Sequence, residues 1–407
     1  MAAHQRRRHA RASATGTLPT ELLLEIAARS EDAATLFRCA AACKLLRREI
    51  CQAPGSVMPP WLLGFLLNTE FFLVHPATPA AASFAENHLA PFMSRVADNL
   101  VLNRYEPLTS RGGLVLLERG EMDWSQGSER ASDMCVYDPM TGDLTVFPLP
   151  PGFDQDNQDA FYYKYVLLNR ADGIGCSFLL LAVDLDGVGD LSSRCMISVR
   201  TLSSDTAAAA GCQWSAVSLA AKPGPPWAIP LCEESYNPPV VLGGVVHFLM
   251  IGYVLTYDVG TATTGMIELP KDCDVAPHRL HLGSTHDGNL RFFGPIYGFR
   301  ISFWETAAQR VDIETLATLR SLLDPSKEWE EHNDGDVEEC FQRYGDRVKV
   351  DNIGDQSTGV VLLQMQNIHF LLDMDTAEIR RIENDRNPLG VPYMVDLSSR
   401  LSNMKMF

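Results

Sequence analysis

Strand–turn–strand units recur along most of this 407-residue chain, and their repetition constrains its fold more than any other feature. Each unit is an apolar run, a polar turn containing Asp, Pro, Thr or Gly, and a second apolar run, which is the pattern of a β-hairpin. The units recur every roughly 45 to 70 residues, a spacing typical of repeat architectures. They lie at 71–84, 135–150, 196–219, 254–270, 301–316 and 369–382.

Repeated antiparallel sheets with apolar faces can bury those faces by stacking radially, and such stacking leaves only short edges exposed. An open sandwich of two sheets would also alternate apolar and polar residues, but it would not require so many repeats. We therefore expect residues 57–407 to form a mainly antiparallel β domain, a propeller of about six blades. The apolar run at 240–251 is too short to cross a bilayer. We predict that it is a buried strand or a strand pair.

One segment of the chain departs from the strand pattern. Leu316, Leu319 and Leu323 have helical spacing, and eight acidic residues follow between Glu328 and Asp346. We predict an acidic helical or loop insertion at about 311–347. It is either a solvated surface loop or a docking surface for a basic partner.

Residues 17–56 have a helical period instead. Leu22, Leu23 and Ile26 form one apolar stripe, and later stripes include Leu36 and Leu46. Three short helices are predicted, so the whole chain is expected to be a multidomain α+β protein. A module of about 40 residues cannot bury all of its leucines by itself. We therefore expect it to require a partner protein.

Charge and cysteine content narrow the function classes. A net charge of −17 disfavours a general nucleic-acid binder, because phosphate binding needs a basic face. Residues 1–16 hold four arginines and no acid, and we expect a disordered basic tail there. No apolar h-region of a signal peptide follows the tail, and the ten cysteines include no C-x-x-C pair. The expected compartment is the cytoplasm, the nucleus or both, with reduced cysteines.

Catalytic and metal-binding spacings are not found in the sequence. It has no Gly-rich phosphate loop, no G-x-S-x-G and no H-E-x-x-H. His278 and His281 fall on a predicted strand, where neighbouring side chains diverge. Asp258 follows an apolar run and suits a turn, whereas Trp214 and Trp304 occupy predicted strand positions and suit the core. We expect no catalytic residue, no metal and no cofactor, hence no enzyme.

The segment LPTELLLEI…AATLFRCAAACKLLRR, within 18–48, resembles the F-box motif. The remainder is similar to the propeller-type F-box-associated domains of plants, especially grasses, through repeats such as VYDPMTGDL at 136–144. Two positions depart from the motif, since Leu46 and Ser30 stand where the family often has tryptophan and leucine.

This resemblance implies a substrate receptor of an SCF-type cullin–RING E3 ubiquitin ligase. The helical module would dock on a Skp-type adaptor, and the β domain would bind a target protein. The adaptor-binding residues that the motif implies are Leu18, Pro19, Leu22, Leu23, Ile26, Leu36, Cys43 and Leu46. The alternative is a ligand- or glycan-binding propeller without a role in ubiquitin transfer.

Overall fold

The structure of the chain is a computed structural model. The residues that it describes are 19, 22, 25, 43–52, 61–67, 70–73, 105–119, 133–138, 143–151, 163–185, 196–207, 213–223, 238–269, 280–284, 289–296, 300–305, 310–314, 348–353, 360–365, 368–373, 378–382 and 391–395.

Most of the described residues belong to β-strands. The helical elements with described bounds are α1 (Lys44–Gln52), a 3-10 turn (Arg170–Asp172) and α2 (Ser204–Ala207), and Leu22 and Glu25 are also helical. The strands are β1 (Trp61–Leu67), β2 (Glu70–Leu73), β3 (Tyr105–Arg111), β4 (Leu114–Arg119), β5 (Asp133–Tyr137), β6 (Leu144–Pro148), β7 (Tyr163–Asn169), β8 (Phe178–Asp184), β9 (Met196–Ser203), β10 (Ser218–Ala221), β11 (Val240–Leu242), β12 (Val245–Met250), β13 (Tyr253–Asp258), β14 (Thr263–Glu268), β15 (His281–Ser284), β16 (Leu290–Ile296), β17 (Arg300–Glu305), β18 (Arg310–Glu314), β19 (Val348–Ile353), β20 (Val360–Met365), β21 (Ile368–Asp373), β22 (Ile379–Ile382) and β23 (Val391–Val395).

These strands form six antiparallel sheets. In all of them but sheet 1, neighbouring strands of the sheet are also neighbours in the sequence. Sheets 2 to 6 each contain four strands in chain order, β3–β6, β7–β10, β11–β14, β15–β18 and β19–β22. Sheet 1 combines the two ends of the domain, because its strand order is β2-β1-β23. Trp61 of β1 pairs with Val395 of β23. The last of the described strands is therefore hydrogen-bonded to the first of them.

The sheets follow one another in a propeller-like arrangement. Strand contacts join each sheet to the next, through β23 and β3, β3 and β7, β10 and β14, β11 and β15, and β16 and β19. Contacts between β19 and β23 join sheet 6 back to sheet 1. The prediction of a mainly antiparallel, propeller-like β domain is confirmed.

Apolar side chains fill the spaces between neighbouring sheets, as radial stacking requires. Leu116 and Leu180 belong to one cluster between sheets 2 and 3. Leu181 and Phe248 belong to a second between sheets 3 and 4. A third, between sheets 4 and 5, includes Phe292. The core is thus divided among the faces between sheets.

Several hairpins predicted from turn chemistry are confirmed. The segment at 135–150 contains the pair β5 and β6, and that at 254–270 contains β13 and β14. The apolar run at 240–251 is a strand pair, because Gly243 and Gly244 form the turn between β11 and β12. Asp258 has the predicted turn role, since its Oδ1 accepts a hydrogen bond from the Thr261 amide at 2.8 Å.

Two predictions need correction. Residues 311–314 were assigned to the acidic insertion, but they belong to β18, where Val311 pairs with Phe303 and Ile313 with Ile301. Pairing with β17 holds residues 311–314 in the extended conformation, so the helical spacing of the leucines that follow does not decide their structure. Trp214 is buried as predicted, yet it lies just before β10 in an extended segment and not in a strand. Its indole Nε1 donates to the Pro148 carbonyl at 2.8 Å. The remainder of the insertion lies outside the described residues.

Candidate functional site

The predicted adaptor-binding residues lie in the N-terminal part of the chain, of which the structure describes a small portion. Pro19 is exposed. Leu22 is helical and 44% exposed. Leu18, Leu23, Ile26 and Leu36 lie outside the described residues. The three-helix module as a whole is therefore not established by the structure.

Helix α1 matches the third predicted helix and carries the last two predicted adaptor residues. Cys43 precedes α1, and its Sγ accepts a hydrogen bond from the Leu46 amide at 3.5 Å, which satisfies one free amide of the first turn. Leu46 is buried within the chain, with 6% of its surface exposed. Of the predicted residues, Pro19 and Leu22 are thus presented to solvent, Cys43 is partly buried and Leu46 is covered.

In the β domain, the most connected group of polar side chains lies where the inner strands turn, and the sequence reasoning missed it. Arg111 ends β3 in sheet 2, and Asp172 lies in the 3-10 turn after β7 in sheet 3. The Arg111 Nε donates to Asp172 Oδ2 at 2.7 Å, and its Nη2 bonds to Oδ1. Their side chains are 16% and 4% exposed. This geometry is a bidentate, largely buried ion pair.

A capping box holds the Asp172 carboxylate in position. The Asn169 Oδ1 accepts from the Ala171 amide at 2.8 Å, and Asp172 Oδ2 accepts from the Asn169 amide at 2.9 Å. The turn closes with Gly173 in the left-handed region. The carboxylate therefore has its acceptor positions occupied from its own turn and from the neighbouring sheet, which compensates for its burial.

Two glycines allow the turns of neighbouring sheets to approach one another. Gly112 has φ +56°, and a Cβ there would overlap the Asn169 side-chain amide. Gly244 has φ +80°, and a Cβ there would lie 3.1 Å from the Asp172 carbonyl oxygen. Both positions need a residue without a side chain, for the backbone angle and for the space.

The same network extends into the sheets on either side. The Arg111 Nη2 donates to the Val241 carbonyl of sheet 4 at 3.1 Å. Tyr393 of β23 donates its hydroxyl to the Gly113 carbonyl at 3.2 Å. We call the group Arg111, Asn169, Asp172 and Tyr393 the turn clasp. Its side chains bond to one another and to backbone groups, and these bonds tie four successive sheets together.

Two buried histidines have pKa values that favour the neutral ring. Burial lowers the pKa of His281 to about 4, and its ring is stacked on Phe293 with centroids 5.7 Å apart. Burial also lowers the pKa of His247, although the Val240 carbonyl at 3.2 Å from Nδ1 acts in the opposite direction. Among the residues that the structure describes, no group of three or more His, Cys, Asp or Glu side chains is placed to hold a metal ion.

Three of the cysteines that the structure describes show their state. Cys43, Cys135 and Cys176 are free thiols. Burial, followed by the nearby Asp133 charge, raises the pKa of Cys135 to about 12. A thiol with such a pKa is protonated at neutral pH and is a poor nucleophile.

No helix within the described residues is long and apolar enough to span a membrane.

The outermost strands expose apolar side chains, which the sequence reasoning also missed. Leu144 and Val146 lie on β6, Leu219 on β10 and Met266 on β14, and Val217 immediately precedes β10. Each of these side chains is more than two fifths exposed. Side-chain alternation along a strand indicates that one of two neighbours is exposed, because Leu219 and the buried Ala220 must face opposite ways. The sequence does not show which of the two faces is covered.

Comparison with known proteins gives one family and distant structural neighbours. The family described as "Domain of unknown function (DUF7595)" matches residues 74–407. No curated protein matches the chain. Two structures of the extracellular domain of BT4673 from B. thetaiotaomicron align at 10% identity with TM-score 0.33, over 69% and 70% of this chain. The aligned part spans 28% of each of those chains. Because the family match covers most of the sequence, this chain belongs to the DUF7595 family, a domain of unknown function.

Proposed function

We propose that this protein is the substrate-recruiting subunit of an SCF-type cullin–RING E3 ubiquitin ligase. Its N-terminal helical segment docks on a Skp-type adaptor, and its β domain, a propeller of six blades, binds the target. Ubiquitin transfer belongs to other subunits, so the chain itself is not an enzyme and needs no cofactor. The complex works in the cytoplasm, the nucleus or both.

The observation that carries this proposal is the position and exposure of Leu22. It is helical and exposed, and it precedes the family-matched region that begins at residue 74. It also falls within the segment that resembles the F-box motif. An exposed leucine at a helical position is the kind of anchor that a helix-in-groove contact buries. Pro19, three residues earlier in the sequence, is also exposed.

The β domain supports the second half of the proposal. Closed rings of sheets present loops from every blade at the same two ends, where binding surfaces are usually built. The turn clasp occupies one set of turns with satisfied structural contacts. A rigid ring of this kind can hold a target at a fixed position relative to the docked adaptor.

Co-expression with a Skp-type adaptor tests the proposal. The wild-type chain is expected to co-elute with the adaptor on gel filtration, and Leu22→Asp is expected to abolish co-elution. The charge would lie in an apolar interface, where an unpaired carboxylate is strongly disfavoured. Separate elution of the wild-type chain and the adaptor would overturn the proposal. The matched control is Met266→Asp, an equally exposed apolar residue of the β domain, which should leave co-elution intact.

A further inference from the structure

Helix α1 presents a positively charged face to solvent. Lys44, Arg47 and Arg48 are spaced i, i+3 and i+4, so their side chains lie on one face of the helix. Lys44 and Arg48 are exposed, and Arg47 is partly buried. We call these three residues the cationic face.

The opposite face of α1 packs against the chain. Successive residues of a helix are rotated by about 100°, so Leu46 lies on the far side of the helix from Lys44. Leu46 is buried, with 6% of its surface exposed. The F-box motif implies that Leu46 contacts the adaptor, but α1 offers a partner its cations and not this leucine.

The positions of these charges do not stabilise the helix itself. A helix has partial positive charge at its N-terminus, so acidic residues stabilise its first turn and basic residues its last. α1 has no acid in its first turn and no base in its last turn. Lys44 and Arg47 lie near the N-terminus instead, where a cation is unfavourable. Helix stability therefore does not explain their presence.

The cationic face also contrasts with the charge of the whole chain, which is −17. Residues 1–52 hold nine basic and five acidic residues, so the negative charge is carried by the rest of the chain. Within α1, three basic residues accompany a single acid, Glu49. A local positive face of this kind attracts an acidic partner and orients it during encounter.

The number of charges indicates the class of partner. A protein that binds duplex DNA neutralises about six to ten phosphates, and a polybasic membrane-binding segment has about four to eight cations. The cationic face has three, and the negative charge of the remaining chain repels both kinds of polyanion. Three cations on two helical turns match a small acidic patch on a folded protein, where charge complementarity fixes specificity.

We propose that the cationic face binds an acidic surface of the Skp-type adaptor. This inference rests on the proposed function and names the chemistry of the adaptor surface that α1 contacts. Leu22 is the apolar anchor of the complex, whereas Lys44, Arg47 and Arg48 steer the adaptor into position. Charges at the rim of an interface act mainly on the association rate constant and on its dependence on salt.

Stopped-flow association of the full-length chain with a fluorescently labelled Skp-type adaptor tests this inference, at about 0.01 M and about 1 M salt. The test variant is Lys44→Glu. It should keep the thermal stability of the wild type, because an acid suits the first turn of a helix. In low salt it should associate at least about fivefold more slowly than the wild type, and in high salt at a similar rate. Lys44→Arg keeps the charge and should behave like the wild type.

Arg380→Glu is the matched control, because it changes the net charge equally at an exposed arginine of the β domain. It should associate like the wild type. Equal slowing by Arg380→Glu and Lys44→Glu would assign the effect to overall charge and overturn the inference.

The inference and the proposed function can be distinguished by their failures. A wild-type chain that does not bind the adaptor would overturn both. Binding that Leu22→Asp abolishes, with equal rates for wild type and Lys44→Glu in low salt, would overturn the cationic face alone. Binding of duplex DNA or of phosphatidylserine vesicles that Lys44→Glu abolishes, with an unchanged adaptor rate, would assign the face to a polyanion and would also overturn it.

Discussion

The Arg111 guanidinium and the Asp172 carboxylate, 61 positions apart in the sequence, form a bidentate ion pair that joins sheet 2 to sheet 3. The pair lies at the turns of the inner strands, and Arg111 reaches further to the Val241 carbonyl of sheet 4. A single side chain therefore contacts two neighbouring sheets, which makes it a sensitive point for the stability of the ring.

Removal of one partner of this ion pair should destabilise the domain strongly. Arg111→Met leaves the Asp172 carboxylate, 4% exposed, without its cation. We expect a loss of about 3 kcal/mol in the free energy of unfolding, measured by urea denaturation. Arg380→Met is the control, because the Arg380–Glu378 pair is exposed on both sides and should contribute less than about 1 kcal/mol. Equal losses for the two variants would contradict the role of the turn clasp.

Stability should fall on acidification because of His281. Its pKa in the folded protein is about 4, below the ordinary value of 6.5, so the folded state binds its proton less readily than the unfolded chain. This contribution is fully present above pH 6.5 and is lost as the pH falls towards 4. At pH 5 the expected loss is about 2 kcal/mol relative to neutral pH. Denaturation of wild type and His281→Phe at both pH values checks it, since the variant should lose correspondingly less stability.

Two tyrosines should respond in opposite ways to the loss of a hydroxyl. The Tyr393 hydroxyl donates to the Gly113 carbonyl, so Tyr393→Phe should cost about 1 kcal/mol. The Tyr253 hydroxyl is buried and has no hydrogen-bond partner among the residues that the structure describes. Tyr253→Phe should therefore leave the free energy of unfolding unchanged or raise it by up to about 1 kcal/mol. Thermal denaturation of both variants tests the pair, and a destabilised Tyr253→Phe would be the contrary result.

Glycine substitutions should separate backbone strain from lack of space. Gly112 and Gly173 both have positive φ, but only at Gly112 would a Cβ overlap a neighbour, the Asn169 side chain. Gly173→Ala should cost about 1 kcal/mol from the backbone alone. Gly112→Ala should cost about 3 kcal/mol, because steric displacement is added to strain. Similar losses, by chemical denaturation, would show that the turns are not tightly apposed.

Local hairpins could be predicted from the sequence because their information is local. Asp258 and the small residues after it define the turn between β13 and β14, and the Gly243–Gly244 pair defines the turn between β11 and β12. The pairing of β1 with β23 could not be predicted, since it joins the two ends of the domain. Nor could Arg111 be assigned to Asp172, because neither residue carries a motif and their proximity depends on how two sheets stack.

The candidate docking residues show the same division. Helical periodicity placed a helix near Leu45 and Leu46, and α1 is there. Periodicity could not show that Leu46 is buried within the chain while Leu22 faces solvent. An apolar stripe has the same sequence pattern whether its own chain or a partner protein covers it. On the outer strand β10, Leu219 is exposed because it lies on the face of sheet 3 that is turned towards sheet 2, and sheet 2 does not cover it.

The most direct test of the account is the affinity of the purified chain for a purified Skp-type adaptor, measured by isothermal titration calorimetry. The account predicts saturable one-to-one binding by the wild type, with a loss of at least a hundredfold for Leu22→Asp and no loss for Leu219→Lys. Absence of binding by the wild type, or equal affinity of wild type and Leu22→Asp, would contradict it.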